Sequence, residues 1–380
     1  MILPRKLNSL IDKALGRLLY PPKLESLRSK SRAQEVKIIQ KEEKMDLTED
    51  ERQLLKLFKQ CYPYSDLSAE IIKTPNAYFT FLSSVQLDFS TGLLYNPSSK
   101  SFIIESGFSP VRTLKAIRFL KKTIPLKKID GLYTSIHHYP WAKTNTYHWF
   151  LECLTRLILL MEVAANSNEE IQLLLPRNLP SYQEEVLEII SSHSPPNLQL
   201  KRVASGFRYE IDRYLFVPFI AHDMFGLAPT SIVSQLSDYI IKGYSAEELT
   251  VNKYTYISRA KAKKRRIKNE SELEDMLIKL GFEIHTPEDY TYAKQVQLFY
   301  QSKIVMSAHG AGLTNTLFCQ QGTTVVELFP EDRIKLHYFG IAKSKGLDYH
   351  YLLGSKEDKQ QDFWVNIQQA NHLLSNKLRL

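Results

Sequence analysis

Cysteine is scarce in this sequence, and no long apolar run occurs. The three cysteines, Cys61, Cys153 and Cys319, are an odd number, far apart and never in Cys-x-x-Cys spacing. That pattern suits a reducing compartment and gives no zinc site. Cys153 and Cys319 fall in apolar stretches, where a thiol serves as a small core residue. No run approaches the ~20 apolar residues of a membrane-spanning helix. The basic residues Arg5 and Lys6 are not followed by the apolar core of a signal peptide. The resulting expectation is a cytosolic protein. A P-loop is missing too, since no Gly-Lys-Ser/Thr follows a glycine loop. There is no repeat of fixed short period and no internal low-complexity linker.

The 380 residues are enough for two cores, because single cores stop growing near ~250–300 residues. Hydrophobic residues make up 43% and charged residues 24%, an ordinary globular balance. The net charge of +9 comes from 50 Lys+Arg against 41 Asp+Glu. Such a surplus suits an anionic ligand, an anionic membrane face or nucleic acid, without choosing among them.

The most informative stretch runs from Lys303 to Phe329. Lys303 to Ser307 is a short apolar run and reads as a buried strand. Gly310 and Gly312 open a loop, Ala311 to Phe318 reads as a helix stopping before Gly322, and Thr323 to Phe329 reads as another strand. A strand–loop–helix–strand unit makes parallel pairs, and ligands collect at the carboxyl ends of such strands. Glycines there admit an anion to the backbone N–H groups, and the helix N-terminus favours negative charge. By itself the pattern also fits a tight turn in which glycine serves only geometry. Asn315 stands where a dinucleotide fingerprint would have its third glycine. His309 at the strand end and Glu327 near the end of the next strand strengthen a nucleotide reading, with Glu327 placed to accept from a ribose.

His309-Gly-Ala-Gly-Leu-Thr-Asn315 with Gly322-Thr-Thr-Val-Val-Glu-Leu328 resembles the signature of the family 61 glycosyltransferases. Two further stretches agree. Asn145-Thr-Tyr-His-Trp-Phe-Leu-Glu-Cys-Leu-Thr-Arg156 is similar to that family's Asn-x-x-His-Trp-x-x-Glu/Asp-x-Leu-x-Arg segment, with Thr155 where proline is common. Tyr256–Arg259, Arg265-Arg266 and Asn269-Glu270 are similar to its Tyr-Ile-Ser-Arg and Arg-Arg-x-x-Asn-Glu stretch, and Gln295 matches a glutamine before the glycine loop. Together these cover about Asn145 to Phe329; residues before Gly131 carry no resemblance.

Residue by residue, each stretch also has a plainer explanation. His148, Glu152 and Arg156 are four apart and share a helix face, which alone reads as a surface ion pair with a histidine one turn earlier. Metal binding is weaker still, since no third ligand is evident. Lys261 to Asn269 is a basic run of the kind usually found in solvated loops. It has no interleaved aromatics for stacking bases, which argues against single-stranded nucleic acid.

Along the chain, Met1 to Gln60 reads as helical, with Leu10, Ile11, Leu15, Leu18 and Leu19 at helical spacing. This basic amphipathic pattern fits either a helix packed on its own domain or one lying on an anionic membrane. Tyr78–Leu82, Val85–Phe89 and Ser101–Glu105 read as short antiparallel strands split by turns. Alternating strands and helices follow, in two sets: Gly131 to Val217, then Tyr254 to Leu353. The expected divisions are a helical segment 1–60, an α/β domain with a hairpin region 61–228, an α/β domain 229–355 and a terminal helix 356–380.

Alternation of this kind implies parallel sheets covered on both faces. The expected class is therefore α/β and GT-B-like, with two doubly wound Rossmann-like domains facing a cleft. The resemblance implies an inverting transferase that moves a sugar from a nucleotide donor, UDP-linked by expectation, to a hydroxyl of a surface or capsular glycan, or a lipid-linked one. Bacterial enzymes of capsular polysaccharide biosynthesis belong to that family, and the expected location is cytoplasmic, with peripheral contact to the inner membrane through the N-terminal segment. No Asp-x-Asp occurs, which favours metal-independent phosphate binding by backbone, helix dipole and cations, with no separate cofactor. The expected donor residues are His309, Gly310, Ala311, Gly312 and Asn315 around the diphosphate, Arg259 with Lys264 or Arg265 neutralising it, and Glu327 on the ribose. His148 is the expected base, with Glu152 and Asp223 as alternatives. The rival classes are a nucleic-acid or anionic-surface module and a non-catalytic member of the same fold; the first reading carries no nucleic acid.

Overall fold

The computed structural model describes residues 23–27, 36–63, 70–117, 120, 124–136, 141–204, 206–221 and 226–377. The helical pattern of Leu10 to Leu19 and the candidate base Asp223 lie outside these residues. Two compact units divide the chain. The first is made of residues 1–42 and 75–223, the second of 43–74 and 224–380. Residues 43–74 thus belong with the second unit, where the sequence suggested a boundary at 60/61.

In the first unit, nine strands among the described residues form one sheet. Eight run in the order Leu24–Glu25, Ser101–Ile103, Leu93–Asn96, Ala77–Asp88, Arg208–Phe216, Leu126–Ser135, Ile171–Pro176 and Leu198–Val203, and Lys37–Gln40 pairs off this path with Ala77–Asp88. The last four of the eight are mutually parallel, and their crossover helices are Thr155–Ala165 and Ser181–Ser191. Ala77–Asp88 joins this parallel set antiparallel to Arg208–Phe216, and the Leu93–Asn96 and Ser101–Ile103 strands extend it by antiparallel pairing. The sheet is therefore mixed: its parallel strands fall in the alternating set expected from Gly131, and the expected antiparallel strands join the same sheet. The two short strands expected at Tyr78–Leu82 and Val85–Phe89 are one strand. Ser84 takes φ +53°, a local kink that resembles a turn in the sequence, while pairing with Arg208–Phe216 continues on either side.

The second unit is the simpler α/β structure. Its five strands are all parallel, in the order Phe282–His285, Lys253–Ile257, Ser302–Ala308, Thr324–Pro330 and Asp348–Gly354. Tyr256, Met306, Ala308, Val326 and Leu328 form its core with Leu273, Leu277, Phe363 and Val365. Because the strands are parallel, Ile257, Ala308 and Pro330 all end at one sheet edge, the edge where α/β folds bind ligands.

Residues 43–74 supply this unit with a hairpin pair, Lys44–Met45 with Ile72–Lys73, and the helix Glu49–Cys61. Thr48 caps that helix in a reciprocal box with Glu51, and the buried Glu51 carboxylate also meets Lys343 at 3.0 Å. One side chain therefore closes the helix end and ties it to the helix His337–Lys345. We expect Glu51→Ala to strand the Lys343 ammonium and open the cap, costing about 3 kcal/mol. Urea unfolding followed by far-UV circular dichroism should show an earlier midpoint, and an unchanged midpoint would remove this tie from the account.

Candidate functional site

At the carboxyl edge of the second unit's sheet, the strand Lys253–Ile257 runs into Ser258 and Arg259. Glu270, first residue of the helix Glu270–Lys279, accepts from Tyr256 Oη (2.8 Å), Ser258 Oγ (3.2 Å) and the Arg259 amide (3.0 Å). That clamp fixes where the Arg259 side chain starts. Its guanidinium then donates to the Arg265 carbonyl from Nε (3.1 Å) and to the Lys264 carbonyl from Nη2 (3.0 Å). Nη1 lies against Gly310, so close that a Cβ there would fall inside the guanidinium. Gly310 has φ −173°, extended backbone that any residue adopts. The constraint on Gly310 is therefore space for Arg259, and not conformation. At Gly312 a Cβ would touch only Ile257 Cγ2, at an ordinary 3.5 Å.

The expected helix Ala311–Phe318 is present as a 3₁₀ helix. Its first internal bond is Leu313 N–H to Gly310 O at 3.0 Å, so the Ala311 and Gly312 amides have no intrahelical acceptor. Ala311 and Gly312 are half-buried at the site edge. Asn315 is not placed as expected. It is buried, accepting from Tyr292 Oη (3.0 Å) and donating to Gln295 Oε1 (3.0 Å), so its carboxamide is occupied within the fold. Gln295 in turn donates to the Pro287 carbonyl (2.9 Å). These two residues lock the helices behind the loop together.

Glu327 also departs from its expected ribose role. It is fully buried, within 2.5 Å of His309 Nδ1, and it accepts from Tyr349 Oη at 2.6 Å. His309 stacks on Phe329 (centroids 5.6 Å apart) and lies near Tyr338 and His337. Burial pushes the Glu327 carboxyl well above its ordinary range and the His309 imidazole well below. After burial, the charges that depress His309 are His337, Arg265, Lys335 and Arg259. A buried pair in this setting stays net neutral, with one proton shared across the hydrogen bond.

The basic run resolves residue by residue. Lys261 pairs with Asp289, Arg266 with Asp362 (2.7 Å) and Lys268 with Asp358 (2.8 Å). Asn269 exchanges two bonds with Val365, and Ile267 bridges Phe363. Half of the run is thus stapled to the segment 358–365, which Gly354 lets cross at close range, since a Cβ there would strike the Trp364 carbonyl. Arg265 is different. It takes φ +61°, the left-handed region unusual for a side-chain-bearing residue, and its buried Nε has no hydrogen-bond partner. Lys264 is exposed, with its carbonyl engaged by Arg259. Arg259, Arg265 and Lys335 therefore bring three positive charges to one edge, with no ion pair to a carboxylate among the described residues.

In the first unit, Asn145 caps the helix that starts at Thr146. A π turn, Trp149–Leu154, separates that start from Thr155–Ala165, a feature frequent at functional sites. The surface pair suggested by the spacing is absent. Glu152 is buried, 2.7 Å from Arg112 Nη1 and 2.8 Å from His148 Nδ1. Arg156 is buried too, and donates to the carbonyls of Val217 (3.0 Å), Ser135 (2.9 Å) and Ile136 (3.4 Å) at the carboxyl ends of two parallel strands. Burial lowers its affinity for a proton. Arg112, on the helix Pro110–Ile117, carried no sequence signal; it lies 40 residues from its partner.

This geometry separates the two loop glycines. We expect Gly310→Ala to displace the Arg259 guanidinium and weaken binding of a nucleoside diphosphate about 10- to 100-fold, the value of a charged hydrogen bond or two. Gly312→Ala should bind within about threefold of the parent, which equates to well under 1 kcal/mol. Titration calorimetry compares the two, and equal affinities would remove the Gly310–Arg259 contact from the site.

Residues 146–326 match the family model described as Glycosyltransferase 61. The chain is 41% identical over 68 residues to the human Protein O-linked-mannose beta-1,4-N-acetylglucosaminyltransferase 2, covering 17% of this chain and 12% of that protein. It is 36% identical over 102 residues to the mouse protein of the same name, 24% of this chain and 17% of the relative. To the Beta-1,2-xylosyltransferase of Arabidopsis thaliana it is 38% identical over 56 residues, 15% of this chain and 10% of the relative. The likeness thus spans under a fifth of each relative's length. The matched segment holds His148, Glu152, Arg156, Arg259, Arg265 and His309, and ends one residue before Glu327. Residues 146–326, just under half of the chain, thus carry a family 61 glycosyltransferase domain.

Proposed function

We propose that the protein is an inverting, GT-B-like glycosyltransferase that takes a sugar from a nucleoside diphosphate, UDP by preference, and passes it to a glycan hydroxyl. The observation carrying this reading is the set of uncompensated cations, Arg259, Arg265 and Lys335, around a net-neutral His309–Glu327 pair at the carboxyl edge of a parallel sheet. A diphosphate supplies the negative charge that this edge lacks, and two arginines offer the forked donors that phosphate oxygens accept. The half-buried Ala311 and Gly312 amides add donors at the same place. Charge growing on the leaving diphosphate is met by guanidinium groups already in position, so the reading routes no step through a metal.

On the acceptor side, inversion needs one base to remove the hydroxyl proton during an in-line displacement. His148 suits that part best. Glu152 already pairs with Arg112 and lies beside the imidazole, so it is not left to act as the proton acceptor itself. The relatives' names describe transfer of N-acetylglucosamine at protein O-linked mannose and transfer of xylose, and a surface or capsular glycan is the acceptor class we favour here. The rival reading, a nucleic-acid or anionic-surface module, is disfavoured because half of the basic run is neutralised in place. Among the described residues no helix is long and apolar enough to cross a membrane, and the N-terminal pattern remains a candidate for peripheral contact.

The reading is tested by incubating the protein with a panel of nucleotide sugars and following the anomeric protons by NMR. One donor should release its nucleoside diphosphate with inversion at the anomeric carbon. Retention, or no turnover with any donor and acceptor, would contradict it. With that donor, His148→Ala should lower turnover about 10²- to 10⁴-fold while leaving nucleoside-diphosphate affinity within about threefold, or well under 1 kcal/mol. Near-normal turnover would exclude His148 as base.

A further inference from the structure

Tyr349, Glu327 and His309 form a hydrogen-bonded chain that the diphosphate reading leaves unused. Tyr349 Oη donates to Glu327 Oε2 at 2.6 Å, and Glu327 Oε1 lies 2.5 Å from His309 Nδ1. All three are buried, and they come from three elements: the strands Asp348–Gly354 and Thr324–Pro330, and the turn after Ser302–Ala308. The chain has one open end, His309 Nε2, which has no hydrogen-bond partner among the described residues. Gly310 follows directly, with the Arg259 guanidinium packed on it. The open nitrogen therefore belongs to the residue next to the cationic edge.

We propose that His309 shares a proton with the leaving diphosphate through Nε2, with Glu327 as the store that replaces the proton. Resting on the nucleotide reading above, the step balances as follows. The bond between the anomeric carbon and the phosphate oxygen breaks, and its electron pair stays on that oxygen. The Nε2 proton moves to the oxygen, and the Glu327 Oε1 proton moves to Nδ1. Imidazole remains neutral in its other tautomer, and the new negative charge rests on Glu327, where the Tyr349 hydroxyl and Arg265 stabilise it. Proton exchange with solvent then resets Glu327.

The surroundings suit this role better than a purely structural one. A carboxyl held mainly for packing would be expected to ionise beside Arg265, yet burial keeps Glu327 protonated well above the ordinary range. Burial and the hydrogen bond to Glu327 also keep the Tyr349 hydroxyl protonated, so it remains a donor throughout. The groups facing His309 are Glu327 and Phe329 from one strand, His337 and Tyr338 from the helix His337–Lys345, Arg259 and Arg265 from the basic loop, and Lys335. The charged ones among them, Glu327 apart, are positive. A bound diphosphate cancels those charges, which removes the electrostatic barrier to carrying a proton at this place.

The consequence is proton uptake on binding. At pH 8, above the terminal phosphate's second pKa of about 6, free UDP is fully ionised, so the proton it shares is drawn from His309 and Glu327, and the proton that resets Glu327 must come from solution. Calorimetric titration of the full chain with UDP, in buffers of different ionisation enthalpy, should show uptake approaching one proton per UDP. Glu327→Gln and, separately, His309→Asn should bring that uptake close to zero, whereas His337→Asn should keep it. Binding heats of the parent that do not depend on the buffer would overturn the relay while leaving the nucleotide reading intact, and need no variant. Retained uptake in a folded Glu327→Gln would overturn it too. If UDP, GDP, ADP and CDP all fail to bind, the nucleotide reading falls and the relay with it.

Discussion

The seating of the Arg259 guanidinium on the bare backbone of Gly310 governs the arrangement of the second unit's sheet edge. Both ends of that contact are fixed from elsewhere. Glu270 pins the backbone at Arg259, while the strand Ser302–Ala308 delivers Gly310 by pairing with its neighbours. Between them the guanidinium draws the carbonyls of Lys264 and Arg265 inward. That pull accompanies the left-handed backbone at Arg265, a conformation that persists only where surrounding structure over-determines it. The staples from Arg266, Lys268 and Asn269 to the segment 358–365 supply that determination on the other side of the residue. A loop that looks like a solvated charge run is thereby converted into a rigid presentation of two guanidinium groups.

Charge is handled differently in the first unit. Arg156 satisfies itself on three backbone carbonyls at strand ends, and no carboxylate is needed. This leaves Glu152 to Arg112 and His148. The π turn between His148 and Thr155 adds a residue to the helix and rotates the faces before and after it relative to one another, so the four-residue spacing does not translate into a common ion-pair face. Both units thus place buried charged groups at the carboxyl ends of parallel strands, but Arg156 in the first is satisfied by backbone carbonyls, whereas Arg265 in the second keeps a buried Nε with no hydrogen-bond partner.

Much of this was legible in the sequence where the signals are local. The apolar, β-branched run Thr323 to Phe329 after Gly322 marked the strand Thr324–Pro330 to within a residue, and the alternation of strand and helix indicated the parallel sheet of the second unit. The site loop was legible because its glycines stand between a buried strand and a helix, with His309 and Glu327 at the neighbouring strand ends. What stayed hidden depends on distant partners. Arg112 is 40 residues from Glu152 and Asp362 is 96 from Arg266, and Tyr349 meets Glu327 across a strand pair. None of these leaves a periodic trace. Asn315 and Glu327 were read as ligands because their residue types suit phosphate and ribose; burial redirected both into the fold's own hydrogen bonds. The long strand Ala77–Asp88 was read as two because Ser83-Ser84 looks like a turn, and the kink at Ser84 is real although pairing survives it.

The central claim is that the second unit's sheet edge is built for a diphosphate and not for a base, a sugar or a long polyanion. Its most direct test is a calorimetric series of uridine, UMP and UDP against the full chain at two salt concentrations, with a single-stranded oligonucleotide as comparison. The account predicts that each added phosphate strengthens binding by about tenfold or more, the value of one charged contact, and that added salt erodes the UDP term most. Uridine binding as tightly as UDP, or an oligonucleotide outcompeting UDP, would contradict it.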